Sequence, residues 1–387
     1  MSRLPAPDPQ TLADSRALEA RIRAEIEAAG GALSFRRYME MALYDPQYGY
    51  YTGGLAKFGP GGDFITAPEL GPVFGRCLAR QVAEVLNTLG GGDVLEFGGG
   101  SGVLAVELLG ALRDLDCLPE RYLLLEPSPV LRARQRERIG SALPELAGRV
   151  VWLEHLPERL QGVVVANEVL DAMPVRRFGI SGDGPFELGV GVGDGGFEDR
   201  VLPADEELIA WLNDTGLDGL PPGFVSEWNP VLAGWVKALG ALLEQGVAFI
   251  CDYGWSRAEY YHPQHAEGTL VCHYRHHVHD DPYFLPGGQD ITASVDFTAV
   301  AEAATQAGLE VLGYTLQNAF LIGSGLETVH AGLAKDADPA QAAQLSAEIQ
   351  KLMLPGQMGE RFRVMALGQC YDAPLCGFSW QDHRHRL

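Results

Sequence analysis

The sequence predicts an α/β fold: a seven-stranded, mostly parallel sheet with helices on both faces, an N-terminal helical cap and a mid-chain insertion. Three observations predict it. Short apolar runs alternate with helical patterns along the chain, as in a parallel sheet whose strands are joined by helical crossovers. One run, Asp93-Val94-Leu95-Glu96-Phe97, passes through Gly98-Gly99-Gly100-Ser101-Gly102 into the helix-forming stretch around Val103, Val106, Leu108 and Leu109. Acids and an amide stand at the ends of the runs: Glu96, Glu126, Asn167 with Glu168, and Asp252. Open α/β sheets bind ligands at the carboxyl ends of their strands.

The elements follow in order. Residues 14–29 read as a helix, with Leu18, Ile22 and Ile26 every four residues and Gly30-Gly31 ending it. Ser34 is placed to cap a second helix running to Leu43. Tyrosines and glycines from Leu43 to Gly62 read as an ordered loop. A long amphipathic helix then carries Leu70, Val73, Phe74, Leu78, Val82, Val85, Leu86 and Leu89 on one face. The strands are read at 93–97, 122–125, 150–153, 162–166, 246–251, 309–314 and 362–367. Between the fourth and fifth, Phe186–Phe197 reads as a hairpin, and Trp211, Trp228 and Trp235 add aromatic bulk. The resulting division is 1–90 as helical cap and cofactor lid, 91–175 as the first part of a binding core, 176–240 as insertion, 241–376 as the second part of the core, and 377–387 as a mobile tail.

The glycine stretch carries the chemistry. Gly98, Gly100 and Gly102 at alternate positions let the backbone turn sharply and approach a ligand. The second strand ends in Glu126, 24 residues past Gly102, close to where a nucleotide-binding fold places its ribose-binding carboxylate. The spacing Glu-x-Gly-x-Gly-x-Gly differs from the dinucleotide form Gly-x-Gly-x-x-Gly and suits an adenosine without a pyrophosphate. It resembles motif I of Rossmann-like class I S-adenosylmethionine (SAM) methyltransferases. With "MALYDPQYGYY", "GDFITAPELGPVFGRCLARQ", "ANEVLDAMPVRRF" and "GQDITASVDF" in the same order, the chain resembles the MidA family of that class over roughly residues 20 to 370. The family includes a mitochondrial protein-arginine methyltransferase needed for respiratory complex I assembly.

The resemblance implies SAM as cofactor, a seventh strand antiparallel to the rest, and a protein arginine, perhaps on a complex I subunit, as acceptor. It makes Glu96, Gly98, Gly100, Gly102 and Glu126 the cofactor set. Asn167 and Glu168 border the transferred methyl group, and Gly62, Asp63 and Thr66 close the pocket. A guanidinium acceptor needs carboxylates to orient it. Glu168 and Asp171 share a face if a helical turn follows the fourth strand, and Glu227 and Asp290 are further candidates. Asp63, Asp171, Glu227 and Asp290 also read as caps or structural acids. The catalytic candidates are therefore Glu168, Asp171 and Glu227. Relatives carry His where this chain has Ser294. The run Cys272–Asp281 holds four histidines but no standard zinc spacing, so no metal is expected.

The 387 residues suffice for one large domain with insertions or for two. A formal charge of −22, from 51 acidic and 29 basic residues, argues against unassisted nucleic-acid binding. Without an apolar stretch of about 18 residues no membrane span is expected. Six cysteines form no Cys-x-x-Cys pair, and Met1–Gln10 lack a signal- or transit-peptide layout; a cytoplasmic location is expected. A homodimer is one assembly the reading allows. The rival readings are a non-catalytic SAM-binding assembly factor and, against the glycine spacing, an NAD-dependent oxidoreductase.

Overall fold

The structure, a computed structural model, describes residues 4–53 and 66–387. These form two compact units. One combines the described parts of Met1–Phe64 with Asp171–Leu232 and Ala258–Ser294; the other combines those of Ile65–Leu170 with Ala233–Arg257 and Val295–Leu387.

The second unit is built on an eight-stranded sheet. Its strands run, edge to edge, Glu310–Leu316, Phe362–Gln369, Leu243–Trp255, Leu160–Asn167, Asp93–Phe97, Tyr122–Leu125 and Val150–Leu153, with the short Val295–Asp296 beside Leu243–Trp255. All pairings from Leu243–Trp255 to Val150–Leu153 are parallel, and Phe362–Gln369 is antiparallel to both neighbours. The seven expected strands are all present. The eighth is a two-residue strand, too short to show as an apolar run.

Burial explains the sequence pattern. Val94, Leu95, Val163, Val164, Val165 and Ala166 have no exposed surface, since helices cover both faces and the strands read as continuous apolar runs. The expected amphipathic helix spans Pro72–Leu89, buries Val73, Phe74, Leu78, Val82, Val85 and Leu86, and ends at Gly90 in the left-handed region. Leu70 belongs instead to a separate turn, Ala67–Leu70. Gly71 divides the two because the Glu348 carboxylate occupies the space of its missing side chain: a Cβ there would lie 2.1 Å from Glu348 Oε2.

In the first unit, helix Pro9–Ala28 starts earlier than expected because Asp8 caps it, accepting from the Gln10 and Thr11 N–H groups; Leu18, Ile22 and Ile26 form its buried face. Ser34 caps Phe35–Tyr44, as expected, by accepting from Arg37 N at 3.2 Å. An antiparallel five-stranded sheet joins Ala32–Ser34, Gly184–Gly193, Arg176–Ser181, Val225–Trp228 and Gly196–Pro203. The expected hairpin is its Gly184–Gly193 and Gly196–Pro203 pair. Strands His277–His279, Val271–Tyr274 and Asp290–Thr292 form a second antiparallel sheet.

This grouping cuts across the linear division read from the sequence. Ala32–Ser34 pairs with the insertion, residues 258–294 leave the second part of the core, and 233–240 leave the insertion. The tail after Gly377 is docked rather than mobile. Gly377 N donates to Gln81 Oε1 at 2.7 Å, His383 N to the Tyr314 carbonyl at 2.6 Å, and Arg384 to the Val311 carbonyl at 3.1 Å.

Candidate active site

Strand register brings the candidate residues of the second unit together. Phe97 pairs with Leu125 on one side and Ala166 on the other, and Ala166 pairs with Ile250. Just past that level stand Gly98 and Glu126, where their strands end, Asn167 with Glu168, where Leu160–Asn167 ends, and Asp252, which stays in its strand opposite Arg363. Gly98 (φ 62°), Gly100 (φ 50°) and Gly102 (φ 82°) all take left-handed conformations, which side-chain-bearing residues rarely adopt. Helix Val103–Asp114 follows, and its N-cap residue, Gly102, has no side chain to bond the first N–H groups. Ser101 Oγ donates to Glu69 Oε1 beside the loop.

Two acids flank this loop. Glu96 is buried and accepts from the Tyr122 hydroxyl at 2.6 Å. Burial, with the nearby Glu126 charge, pushes its carboxyl up to about 7. Glu126 is buried too; Oε1 accepts from Ser128 N at 2.9 Å and Oε2 from Gln135 Nε2 at 3.2 Å. Burial raises its pKa, against the two hydrogen bonds. Each oxygen holds a lone pair beyond the bond named. Gln135 escaped the sequence reading. The available signal was a lone polar residue between Leu131 and Ile139 on a buried helix stripe.

Glu168 closes the site at the end of the fourth parallel strand. Its Oε2 accepts from the Tyr253 hydroxyl at 3.0 Å and its Oε1 from Asn167 Nδ2 at 3.1 Å. The Ala67 backbone donates to the same carboxylate, and withdrawal from water pushes it up to about 7. The expected helical turn to Asp171 does not form. Glu168 has φ 53°, its N–H bonds the Cys251 carbonyl at 2.9 Å, and Asp252 Oδ2 takes the next two N–H groups, of Val169 at 3.2 Å and Leu170 at 2.9 Å. These bonds replace those a helical turn would make. Asn167 Oδ1 is buried and accepts no hydrogen bond among the described residues.

The other candidates lie in the first unit. Asp171 and Asp290 are 3% and 0% exposed, and their charges raise the hydroxyl pKa of both Tyr44 and Tyr51, behind the larger effect of burial. Tyr51 donates to Asp290 Oδ1 at 2.9 Å and Tyr44 to the Ala172 carbonyl at 2.9 Å. Asp171 thus groups with Asp290 and two tyrosines of the N-terminal motif. Glu227 stands apart: Oε2 accepts from Thr269 N at 2.8 Å and Thr269 Oγ1 at 3.1 Å, tying its strand to the following loop. Ser294 N donates to the same Thr269 hydroxyl at 3.2 Å. Thr66 precedes the Ala67–Leu70 turn without a side-chain capping bond. Gly62 and Asp63 lie outside the described residues. In the histidine run, burial and neighbouring His279 depress His273 to about 4, and among the described residues no group of three or more His, Cys, Asp or Glu could hold a metal ion.

A glycine loop after the first strand, an acid ending the second, and one antiparallel strand between the last two parallel ones define a class I SAM-dependent methyltransferase. The chain belongs to the Methyltransf_28 family of S-adenosyl-L-methionine-dependent methyltransferases, matched over residues 77–315. This bears out the MidA resemblance. A COG1565 superfamily member from Burkholderia thailandensis, crystallised with S-adenosyl-homocysteine, superposes with a TM-score of 0.94 at 46% identity over 100% of both chains. A native crystal structure of a COG1565 protein from that organism gives 0.91 at 45%, again over 100% of both. The NDUFAF7 homolog of Drosophila melanogaster, named a mitochondrial protein arginine methyltransferase, is 28% identical, covering 94% of this chain and 88% of its own. The Mus musculus protein arginine methyltransferase NDUFAF7 is 27% identical, covering 87% and 81%.

SAM is the cofactor, as expected, and the rival NAD reading falls away. One expectation changes with these findings. The cytoplasmic location is overturned, since these curated relatives are named mitochondrial.

Proposed function

We propose that the chain methylates a guanidinium nitrogen of a protein arginine, with Glu168 orienting the acceptor. The observation that carries the proposal is Glu168 itself: a carboxylate held by three donors at the end of the fourth parallel strand, one residue from the buried acceptor Asn167 Oδ1. The donor set fits SAM. Glu126 keeps lone pairs for ribose hydroxyls, Asn167 Oδ1 suits the ammonium of the methionine moiety, and Gly98, Gly100 and Gly102 let the backbone approach. Glu96, bonded to the Tyr122 hydroxyl one residue before the strand end, is assigned with them to the cofactor set. When bound, SAM supplies an electrophilic methyl group on a sulfonium.

The protein's own groups position the acceptor and exclude water. An ionised Glu168 pairs with a guanidinium and turns one nitrogen toward the methyl group. Asp171, grouped with Asp290, Tyr44 and Tyr51, is assigned to the substrate side. Glu227, already occupied by Thr269, is assigned to holding the fold rather than touching substrate. Gly62, Asp63 and Thr66 are assigned to the cofactor lid. The names of the curated relatives support arginine, and the family resemblance extends the acceptor to a respiratory complex I subunit.

The test is transfer of labelled methyl from SAM to protein extracts, with methylarginine read by mass spectrometry. Labelled arginine with wild type, and at least a hundredfold less with E168Q despite unchanged S-adenosyl-homocysteine binding, supports the proposal. Label on another residue type sinks the arginine reading. Cofactor binding without transfer favours the assembly-factor reading.

A further inference from the structure

Helix Pro129–Ala142 buries Leu131, Gln135 and Ile139, spaced four apart. The middle one is a glutamine with no exposed surface. An amide withdrawn from water persists where its hydrogen bonds are met. Here Nε2 donates to the Gly100 carbonyl at 2.9 Å and to Glu126 Oε2 at 3.2 Å, while Oε1 accepts from Trp152 Nε1 at 2.9 Å. An indole N–H only donates, so Trp152 fixes which end of the amide meets the acid. The glycine loop packs on the same side chain: a Cβ at Gly99 would lie 3.3 Å from Gln135 Nε2, and one at Gly102 would lie 3.2 Å from Gln135 Cγ.

We infer that Gln135 is a positioning residue for cofactor capture, clamping Glu126 to the middle of the glycine loop. The inference rests on the reading of Glu126 as the ribose ligand. A leucine would fill the same space without bonding either group. A glutamate would set an ionised oxygen against two acceptors, the Gly100 carbonyl and Glu126 Oε2. Once protonated, it could donate to one of them and restore part of the clamp. Q135E should therefore make cofactor affinity depend on pH more steeply than in wild type.

The experiment is calorimetric titration of the full chain with S-adenosyl-homocysteine at pH 6 and pH 8.5, comparing wild type, Q135L, Q135E and E126A. Circular dichroism and the thermal midpoint verify folding. Q135L should weaken binding about tenfold at both pH values, the loss expected for one good hydrogen bond. Q135E should bind more than about thirtyfold weaker than wild type at pH 8.5 and within about fivefold at pH 6, as its acid regains a proton. Wild-type affinity in Q135L, or a Q135E-to-wild-type ratio that ignores pH, overturns the inference. Because Q135L introduces no charge, it decides the matter alone if Q135E does not fold. E126A separates the two levels. Lost binding there with none lost in Q135L sinks only the role of Gln135, whereas wild-type binding in E126A sinks the ribose reading.

Discussion

Glu168 joins a carboxylate withdrawn from water to a backbone at φ 53°. For a residue with a side chain that conformation costs ~1–2 kcal/mol, and such strain persists where the surroundings over-determine it. Here the surroundings are the Cys251 carbonyl and the Asp252 carboxylate, which take three successive N–H groups. Two predictions belong at this scale. The Glu168 carboxyl lies at about 7, and only its ionised form pairs with a cationic acceptor, so kcat/KM should rise with pH through about 7. In E168Q the residual rate should lack that step, and a wild-type profile flat from pH 6 to 8 would remove Glu168 from the acceptor side. D252A should strand the Val169 and Leu170 N–H groups, lowering stability by ~2–4 kcal/mol in urea unfolding and turnover more than tenfold. Affinity for S-adenosyl-homocysteine should stay within about threefold, because Glu126 and the glycine loop are untouched.

Among the elements, legibility followed the range of the interactions. The loop at Gly98, Gly100 and Gly102 was legible because left-handed backbone needs glycine at those positions. Ser34 was legible as a cap because capping is local. The cap of Pro72–Leu89 was not: its donor Val73 N meets Glu348 Oε1, 275 residues away, at 2.7 Å. Gln135 was hidden because a single glutamine within a helix forms no motif. The turn after Glu168 was misread because its shape is set by Asp252, on another strand. The Glu348 cap gives this scale its prediction. G71A places a methyl group within 2.1 Å of Glu348 Oε2, so the carboxylate must move and the helix loses its cap. A loss of ~1–2 kcal/mol is expected, read as a lower urea midpoint, and E348A should show a similar loss. An unchanged midpoint in G71A would mean that the cap contributes nothing.

For the whole molecule, the division into two units was the least legible feature, because each is drawn from three separated stretches. Leu33 pairs with Val190 across most of the first half of the chain, and no local pattern announces such a pairing. The buried acids also act at this scale, through the pH dependence of stability. Glu96, Glu168 and Glu348 are each pushed up to about 7, against about 4.3 for an unfolded glutamate. Between those values the folded state binds more protons than the unfolded one, so stability is full below about 4.3 and declines as pH rises through about 7. The lowered carboxyls of Asp8, Asp45 and Asp205 act below this window. His273, depressed to about 4, works in the opposite sense up to about 6.5, the ordinary histidine value. The clean comparison is therefore from pH 6.5 to 8. There the wild-type thermal midpoint should fall, and E348Q, which cannot ionise at the helix cap, should fall by about 2 °C less. Calorimetry across that range decides it: identical slopes for wild type and E348Q would show that Glu348 ionises in the folded protein as it does in the unfolded chain.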